Sequence, residues 1–141
     1  MMDVMKTILD SCGELQISPK GRSMLPYLIE KFDKVKVVPV ADKLCKYDIV
    51  LYKSCGLYIL HRVTGFDGEF YYICGDNTAE YEKVKKEDII GVVSEITRIG
   101  GIVEKKDSFG YRLWIRIWYE WNLKKPLMKL KKFLRNSNKN A

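Results

Sequence analysis

The stretch Asp48–Val63, DIVLYKSCGLYILHRV, contains two apolar runs, Asp48–Tyr52 and Leu57–Val63, separated by a short polar connection. Runs of about four to eight residues that are rich in Val, Ile and Tyr and bounded by Gly, Asp or Asn are typical of strands. The stretch therefore predicts two consecutive strands. Since neighbouring segments show the same short apolar runs bounded by Gly, Asp or Asn, the stretch indicates that the fold consists mainly of strands.

Further strand-like runs precede and follow this pair. Leu15 and Ile17 alternate with polar neighbours, which is typical of a strand. Tight connections such as Asp67-Gly68 and Gly100-Gly101 indicate antiparallel pairing rather than βαβ units. We predict the remaining strands at Val35–Val40, Glu69–Cys74 and Ile89–Ile99.

The two ends of the chain predict helices. Apolar residues at helical spacing in Asp3–Cys12 predict a short amphipathic helix. After Asp107, the segments Tyr111–Trp121 and Leu127–Leu134 also fit helices better than strands. We therefore predict a mainly β fold, a small antiparallel sheet with a short N-terminal helix and a basic helical C-terminal tail.

Charge divides the chain into two regions. The net charge is +7, but residues 1–107 carry 16 Lys and Arg against 17 Asp and Glu, whereas residues 108–141 carry 9 against 1. We predict a β domain over 1–107 and a basic, Trp-rich tail over 108–141. The tail either packs on the β domain, with Trp114, Trp118 and Trp121 as core, or contacts an anionic membrane through residues 108–135. Because no recognition motif accompanies the lysines, we do not expect nucleic-acid binding.

Thiols and hydropathy exclude several classes of protein. The four cysteines (Cys12, Cys45, Cys55 and Cys74) lack C-x-x-C spacing, and His61 is the only histidine, so we expect reduced structural thiols and neither a metal nor a cofactor. No stretch without charge or histidine exceeds seven residues, which is too short to span a bilayer, and acids interrupt any N-terminal signal sequence. We expect a cytoplasmic protein without a transmembrane helix or signal peptide.

Three short segments carry side chains that can cooperate in catalysis. Ser23 lies in the loop segment GRSMLP, His61 in LHRV at a strand end, and Asp76 in the turn GDN. A serine hydroxyl needs a base that accepts its proton, and a histidine base needs an acceptor on its other ring nitrogen. Ser23, His61 and Asp76 can supply these three roles.

The motifs Gly-x-Ser-Met-x-Pro, Asp-Ile-Val, His-Arg-Val and Gly-Asp-Asn, in this order, resemble the boxes of type I signal peptidases and their LexA-type repressor relatives. The resemblance covers about residues 14–100. It follows the endoplasmic-reticulum and archaeal type, in which histidine rather than lysine is the general base. It implies a coiled β-sheet with Ser23 as nucleophile, His61 as general base and Asp76 as the acid near the histidine.

The loop around the nucleophile is assigned to substrate and oxyanion binding, through Gly21, Met24 and Pro26. Main-chain N–H groups of this loop are the expected oxyanion donors. Gly21 carries no hydroxyl, whereas some bacterial members of the family have one at this position.

Two acidic positions compete for the role of supporting the histidine. Histidine-type members of the family carry a second acid after Gly-Asp-Asn, and here the nearest carboxylates are those of Glu80 and Glu82. Because neither is an aspartate, Asp76 is the preferred residue. Arg62 is interpreted as the partner of a nearby carboxylate rather than as a catalytic group.

These features predict a serine endopeptidase that cuts a leader or signal-like segment from a precursor peptide or protein, without a cofactor, by a Ser–His mechanism. Two alternatives stay open. One is a non-catalytic or self-cleaving LexA-like binding and regulatory module. The other is an adaptor at a membrane surface, in which the tail is the functional part.

Overall fold

The computed structural model describes residues 3–40 and 43–139, the last three of these by their main chain only. Helix α1, Val4–Cys12, begins where the Asp3 carboxylate accepts the N–H groups of Met5 and Lys6. It ends at Gly13, which adopts the left-handed conformation that glycine tolerates best (φ 80°). The helix predicted for this segment is confirmed.

Within residues 3–40 and 43–139, eight strands form one antiparallel sheet, which confirms the predicted mainly β fold. Hydrogen bonds join them in the order β1-β2-β7-β3-β4-β5-β6, and β8 pairs with β7. The strands are β1 Leu15–Ile17, β2 Lys34–Val38, β3 Ile49–Ser54, β4 Leu57–Phe66, β5 Phe70–Cys74, β6 Glu82–Lys85, β7 Ile89–Thr97 and β8 Val103–Lys105.

Two of the strands, β6 and β8, are absent from the sequence prediction. They have four and three residues, and each contains at least two charged residues, so neither gives an apolar run. Both form by pairing with a longer strand, β6 with β5 and β8 with β7. Tertiary pairing therefore overrides their weak local preference.

The hairpin of β3 and β4 places its residues on two faces of the sheet. Val50 lies opposite His61, and Ile49 lies opposite Arg62. Since successive side chains of a strand alternate between faces, His61 and Arg62 belong to different sides. One face buries Val50, Tyr52, Val63, Ile73 and Val84, and the other buries Leu9, Met24, Val35, Leu51 and Tyr111.

The tail begins with a helix that packs on the β domain. Helix α2, Phe109–Ile115, continues into a π-helical turn, Arg116–Glu120. It buries Tyr111, Ile115 and Trp118, whereas Trp121 is 62% exposed. Of the tryptophans expected to form core, Trp118 therefore does so and the half-buried Trp114 does so in part. The change in charge at residue 107 does not coincide with an end of the packed structure.

The last helix, α3, Lys124–Lys139, begins before the predicted segment Leu127–Leu134 and continues beyond it. It is amphipathic, and its leucines are about half exposed. Within the part of the chain that the structure describes, we find no helix that combines the length and the apolar character needed to cross a membrane.

All four cysteines are free thiols, and only Cys74 is buried. Cys12, Cys45 and Cys55 are exposed, so the interpretation of the thiols as packed structural groups holds for Cys74 alone.

Candidate active site

The loop that carries Ser23 is attached to the turn that carries Asp76. The main-chain N–H of Asn77 donates to the carbonyl oxygen of Ser23 at 2.8 Å, and the Asn77 amide Nδ2 donates to the Arg22 carbonyl at 2.9 Å. These two bonds link segments more than 50 residues apart in the sequence. The Gly-Asp-Asn motif therefore positions the nucleophile loop.

The loop that carries Ser23 and the side chain of His61 both lie against Gly75. A Cβ atom built on Gly75 would overlap the carbonyl oxygen of Ser23 and lie 3.1 Å from Nε2 of His61. Both groups consequently lie against the same side of Gly75, which explains why this position has no side chain. The structure thus brings Ser23 and His61, two of the three predicted catalytic residues, to one place.

The loop residues assigned to substrate binding have different environments. Gly21 is exposed with φ 82°, and Pro26 is exposed after a cis peptide bond. The side chain of Met24, in contrast, is buried, and its sulfur accepts the N–H of Asp76 at 3.4 Å. The assignment of Gly21, Met24 and Pro26 to substrate and oxyanion binding therefore stays a prediction, and for Met24 it concerns the main chain.

The imidazole of His61 is oriented by a tyrosine. Nδ1 of His61 lies 3.1 Å from the hydroxyl oxygen of Tyr52, a residue of β3 that is 1% exposed. Tyr52 is two residues from Val50, the residue opposite His61, so the three side chains share one face of the sheet. The carboxylate of Glu82, on β6, lies near enough to help raise the pKa of this hydroxyl, after the larger effect of burial.

The ring nitrogen of His61 on the side of the Ser23 loop is Nε2, because Nδ1 is the atom in contact with Tyr52. A neutral imidazole has one N–H and one unprotonated nitrogen, and a phenol can accept from the first or donate to the second. In the tautomer in which the Tyr52 oxygen accepts from Nδ1–H, Nε2 is unprotonated and can accept a proton. Among the described residues no hydrogen bond joins Nε2 to the Ser23 hydroxyl, and the proximity of the two residues rests on their shared approach to Gly75.

Electrostatics favours a neutral imidazole. Burial lowers the pKa of His61 below its ordinary value, and the nearby carboxylates of Glu82 and then Asp76 oppose this effect in part. Burial, together with the Glu82 carboxylate, also raises the pKa of Tyr52, so its hydroxyl stays protonated. Near neutral pH the site therefore holds a neutral imidazole and a neutral phenol.

Asp76 is fully buried, and its carboxylate has four donors. Arg62 donates to both oxygens, from Nε at 2.9 Å and from Nη2 at 3.0 Å. Trp114 Nε1 donates at 2.9 Å, and the Tyr119 hydroxyl donates to the other oxygen. Among the described residues no hydrogen bond joins Asp76 to His61, which corrects the assignment of Asp76 as the group that orients the histidine.

Arg62 is the carboxylate partner that the sequence analysis proposed. It is fully buried, and its third contact is a hydrogen bond from Nη1 to the carbonyl of Tyr47 at 3.0 Å. The rings of Tyr27 and Tyr111 lie 4.9 and 5.4 Å from its guanidinium carbon. The pair of Arg62 and Asp76 is thus a paired and satisfied ionic group inside the domain.

The tail completes this buried cluster. Besides Trp114 and Tyr119 at the carboxylate, Trp118 donates from Nε1 to the Asp76 carbonyl at 2.8 Å. Three residues of the tail therefore bind one residue of the Gly-Asp-Asn turn. Helix α2 and the π-helical turn are part of the structure that holds the site.

The sequence motifs do not indicate Tyr52 as a neighbour of His61, and they favour Asp76 over Glu82. Tyr52 ends the Asp-Ile-Val motif run, and strand alternation from Val50 is the signal that could have found it. Glu82 was one of the two nearest carboxylates after the turn. Nothing in the sequence indicates that Glu82, on β6, lies near Tyr52, on β3.

No protein-family model matches this sequence, and no curated protein is significantly similar to it. The resemblance to signal peptidases therefore stays a prediction that the four motifs carry.

Proposed function

We propose that the protein is a serine endopeptidase in which Ser23 is the nucleophile and His61 is the general base. The observation that supports this proposal is the shared contact with Gly75, which brings the main chain of Ser23 and Nε2 of His61 together. A serine beside an unprotonated histidine nitrogen is the arrangement that activates a hydroxyl for acyl transfer.

The reaction uses one proton twice. The Ser23 hydroxyl attacks the peptide carbonyl while its proton passes to Nε2 of His61, and His61 then gives that proton to the leaving amine. Water hydrolyses the acyl-enzyme with the histidine again as base. The oxyanion is stabilised by main-chain N–H groups of the loop at Gly21–Met24, since Gly21 supplies no hydroxyl.

Tyr52 and Glu82 act as positioning residues in this mechanism. Tyr52 accepts from Nδ1–H of His61 in this mechanism, and the nearby negative charge of Glu82 favours the imidazolium that forms during attack. Asp76 supports catalysis at one remove, because its buried ion pair fixes the turn that holds the Ser23 loop.

The proposed substrate is an extended leader or precursor segment of a peptide or protein. An extended segment can bind a peptidase of this kind along a strand edge. Small residues before the cut are an expectation from the family resemblance alone. The runner-up is a non-catalytic or self-cleaving regulatory module with the same fold.

A serine-reactive fluorophosphonate probe tests the proposal. The wild-type protein should be labelled, Ser23→Ala should not, and Ser94→Ala should be labelled normally because Ser94 bonds a carbonyl on β2. Labelling that survives Ser23→Ala would contradict the assignment of the nucleophile. A wild-type protein that is never labelled would favour the regulatory module.

We also propose that the tail contacts an anionic membrane surface, through α3 rather than through the tryptophan face. Leu127, Leu130 and Leu134 are 45%, 52% and 54% exposed and fall on one side of the helix. The tail carries nine Lys and Arg against one acid, which complements an anionic surface.

A further inference from the structure

A cleft of about 610 Å³ lies between α3 and the β domain, a size that is common among ligand sites. Its wall includes Cys74 and Thr78, which flank the turn at residues 75–77. Since Gly75 contacts the catalytic pair, the cleft and the proposed active site border the same turn.

The cleft is strongly cationic. Lys46, Lys125, Lys129 and Lys132 line it, and no Asp or Glu is among its lining residues in the described part of the chain. None of these four ammonium groups forms an ion pair with a described carboxylate. Four positive charges without counter-charges create a potential that attracts an anion.

Two further lysines hold α3 in place and so define the cleft. Lys124 is 9% exposed, and its Nζ donates to the carbonyl of Gly75 at 2.8 Å. Lys131 donates to Oδ1 of Asn77 at 2.7 Å. Both contacts are with the turn at residues 75–77. The side of the cleft that α3 forms is therefore fixed relative to the proposed active site.

A lipid headgroup fits this cleft poorly. Lys125, Lys129 and Lys132 are spaced by four and three residues and lie on the side of α3 that faces the cleft. At 100° per residue, Leu127 and Leu130 fall on the opposite side. A bilayer in contact with the leucines is therefore separated from the cleft by the helix itself.

Nucleic acid also fits poorly, because among the four aromatic rings of the described lining residues only that of Tyr81, 61% exposed, offers a free face for a base. Trp118 is 8% exposed and stacks on Trp114 with ring centroids 4.9 Å apart. The ring of Tyr119 lies 5.3 Å from that of Tyr47. Base recognition on aromatic platforms needs exposed rings.

A peptide suits this lining better. The Asn122 side chain can bond main-chain amides, and the lysines can bind carboxylates. We propose that this cleft binds an acidic peptide segment and, as an extension that rests on the proposed function, that the segment belongs to the precursor cut at Ser23.

Fluorescence anisotropy with a labelled peptide of four glutamates flanked by alanines tests the proposal. The protein is the full chain with Ser23→Ala, which binds without cutting. We expect saturable binding that the triple variant Lys125→Gln, Lys129→Gln, Lys132→Gln weakens about tenfold, since it removes three of the four unpaired positive charges at the cleft. A peptide with glutamine in place of glutamate should not bind.

The matched control removes three exposed positive charges elsewhere, with Lys20→Gln, Lys34→Gln and Lys105→Gln. This control should bind the peptide like the parent protein. Equal weakening by both triple variants would overturn the proposal, because the net charge rather than the cleft would then be responsible. Circular dichroism checks that both variants keep the helical content of the parent.

Two further probes separate the other anions. Phosphatidylglycerol vesicles and an oligothymidylate are tested against the same two proteins. The peptide assignment is overturned if either probe binds the parent protein but not the cleft variant, while the acidic peptide binds neither. The fluorophosphonate probe tests the proposed peptidase separately. If the protein is labelled normally but does not bind the peptide, only the peptide site in the cleft is rejected. If it binds the peptide but is not labelled, the peptidase is rejected while the cleft remains a peptide site.

Discussion

Nδ1 of His61 lies 3.1 Å from the hydroxyl oxygen of the buried Tyr52, and the charge of Glu82 acts on the pKa of both groups. Of the two acids near the histidine, Glu82 has the larger effect on its pKa. Asp76, the acid in the recognisable motif, is occupied by Arg62 and by the tail. This division of roles leads to distinct predictions for the two acids.

Tyr52→Phe should lower kcat about 10²-fold with little change in KM, because the phenyl ring keeps the packing but no longer fixes the proton on Nδ1. The measurement is steady-state cleavage of a precursor peptide. Tyr71→Phe is the matched control, since Tyr71 is equally buried in the same core cluster. Equal losses in both variants would mean that the effect comes from packing.

Glu82→Gln should move the acid limb of the pH–rate profile to lower pH while it lowers the maximum rate. The base must be neutral, and burial already lowers the pKa of His61, whereas the charge of Glu82 raises it. Without that charge the pKa falls further, so activity persists to lower pH. Glu80→Gln should leave the limb in place, and a limb that stays fixed in Glu82→Gln contradicts the effect of the Glu82 charge on His61.

Gly75→Ala should abolish fluorophosphonate labelling, because the new methyl group overlaps the Ser23 carbonyl and crowds Nε2 of His61. Gly65→Ala is the control, since its Cβ would meet only a side-chain atom of Tyr72 at an ordinary 3.7 Å. Labelling of the two proteins at equal concentration is the readout. If Gly75→Ala is labelled normally, the contact through Gly75 does not exist in solution.

Asp76→Asn should destabilise the protein by about 3–5 kcal/mol, because it leaves the buried guanidinium of Arg62 without its counter-charge. Urea unfolding gives the free energy of unfolding. Glu14→Gln, which removes one partner of the exposed pair with Lys36, should cost less than about 1 kcal/mol. Full stability of Asp76→Asn together with lost activity would restore Asp76 to a catalytic role.

Removal of the tail should have different results at two positions. A protein that ends at Asp107 loses Trp114, Trp118 and Tyr119 from Asp76 and should unfold or precipitate. A protein that ends at Asn122 lacks only α3 and should stay folded and reactive to the probe. Gel filtration and probe labelling distinguish these outcomes, and a soluble, labelled protein that ends at Asp107 contradicts the packing of α2.

Vesicle sedimentation tests the membrane proposal for α3. The intact chain should bind phosphatidylglycerol vesicles and release them as salt is raised, whereas the protein that ends at Asn122 should not bind. Leu127→Ser, Leu130→Ser and Leu134→Ser together should also abolish binding without a change in charge. Binding that persists without the leucines would assign it to the lysines alone.

Much of the fold follows from the sequence because the signal is local. The alternation around Val50 and His61 and the tight connections between runs predict the long strands, and Asp3 and Gly13 bound α1 through their own hydrogen-bond and conformational preferences. Strands β6 and β8 are too short and too charged to show a period, so only pairing with β5 and β7 creates them.

The sequence by itself also determined the order of the serine, histidine and Gly-Asp-Asn motifs, since these are short chemical patterns. Tertiary structure alone decided which groups lie beside the histidine. A carboxylate binds whichever donors lie nearest in space, and alternation on β4 turns Arg62 to the face of Asp76 while His61 faces Tyr52. The tryptophans were likewise ambiguous in sequence, because a tryptophan face suits a membrane and a protein core equally, and the hydrogen bonds to Asp76 place Trp114 and Trp118 against the β domain.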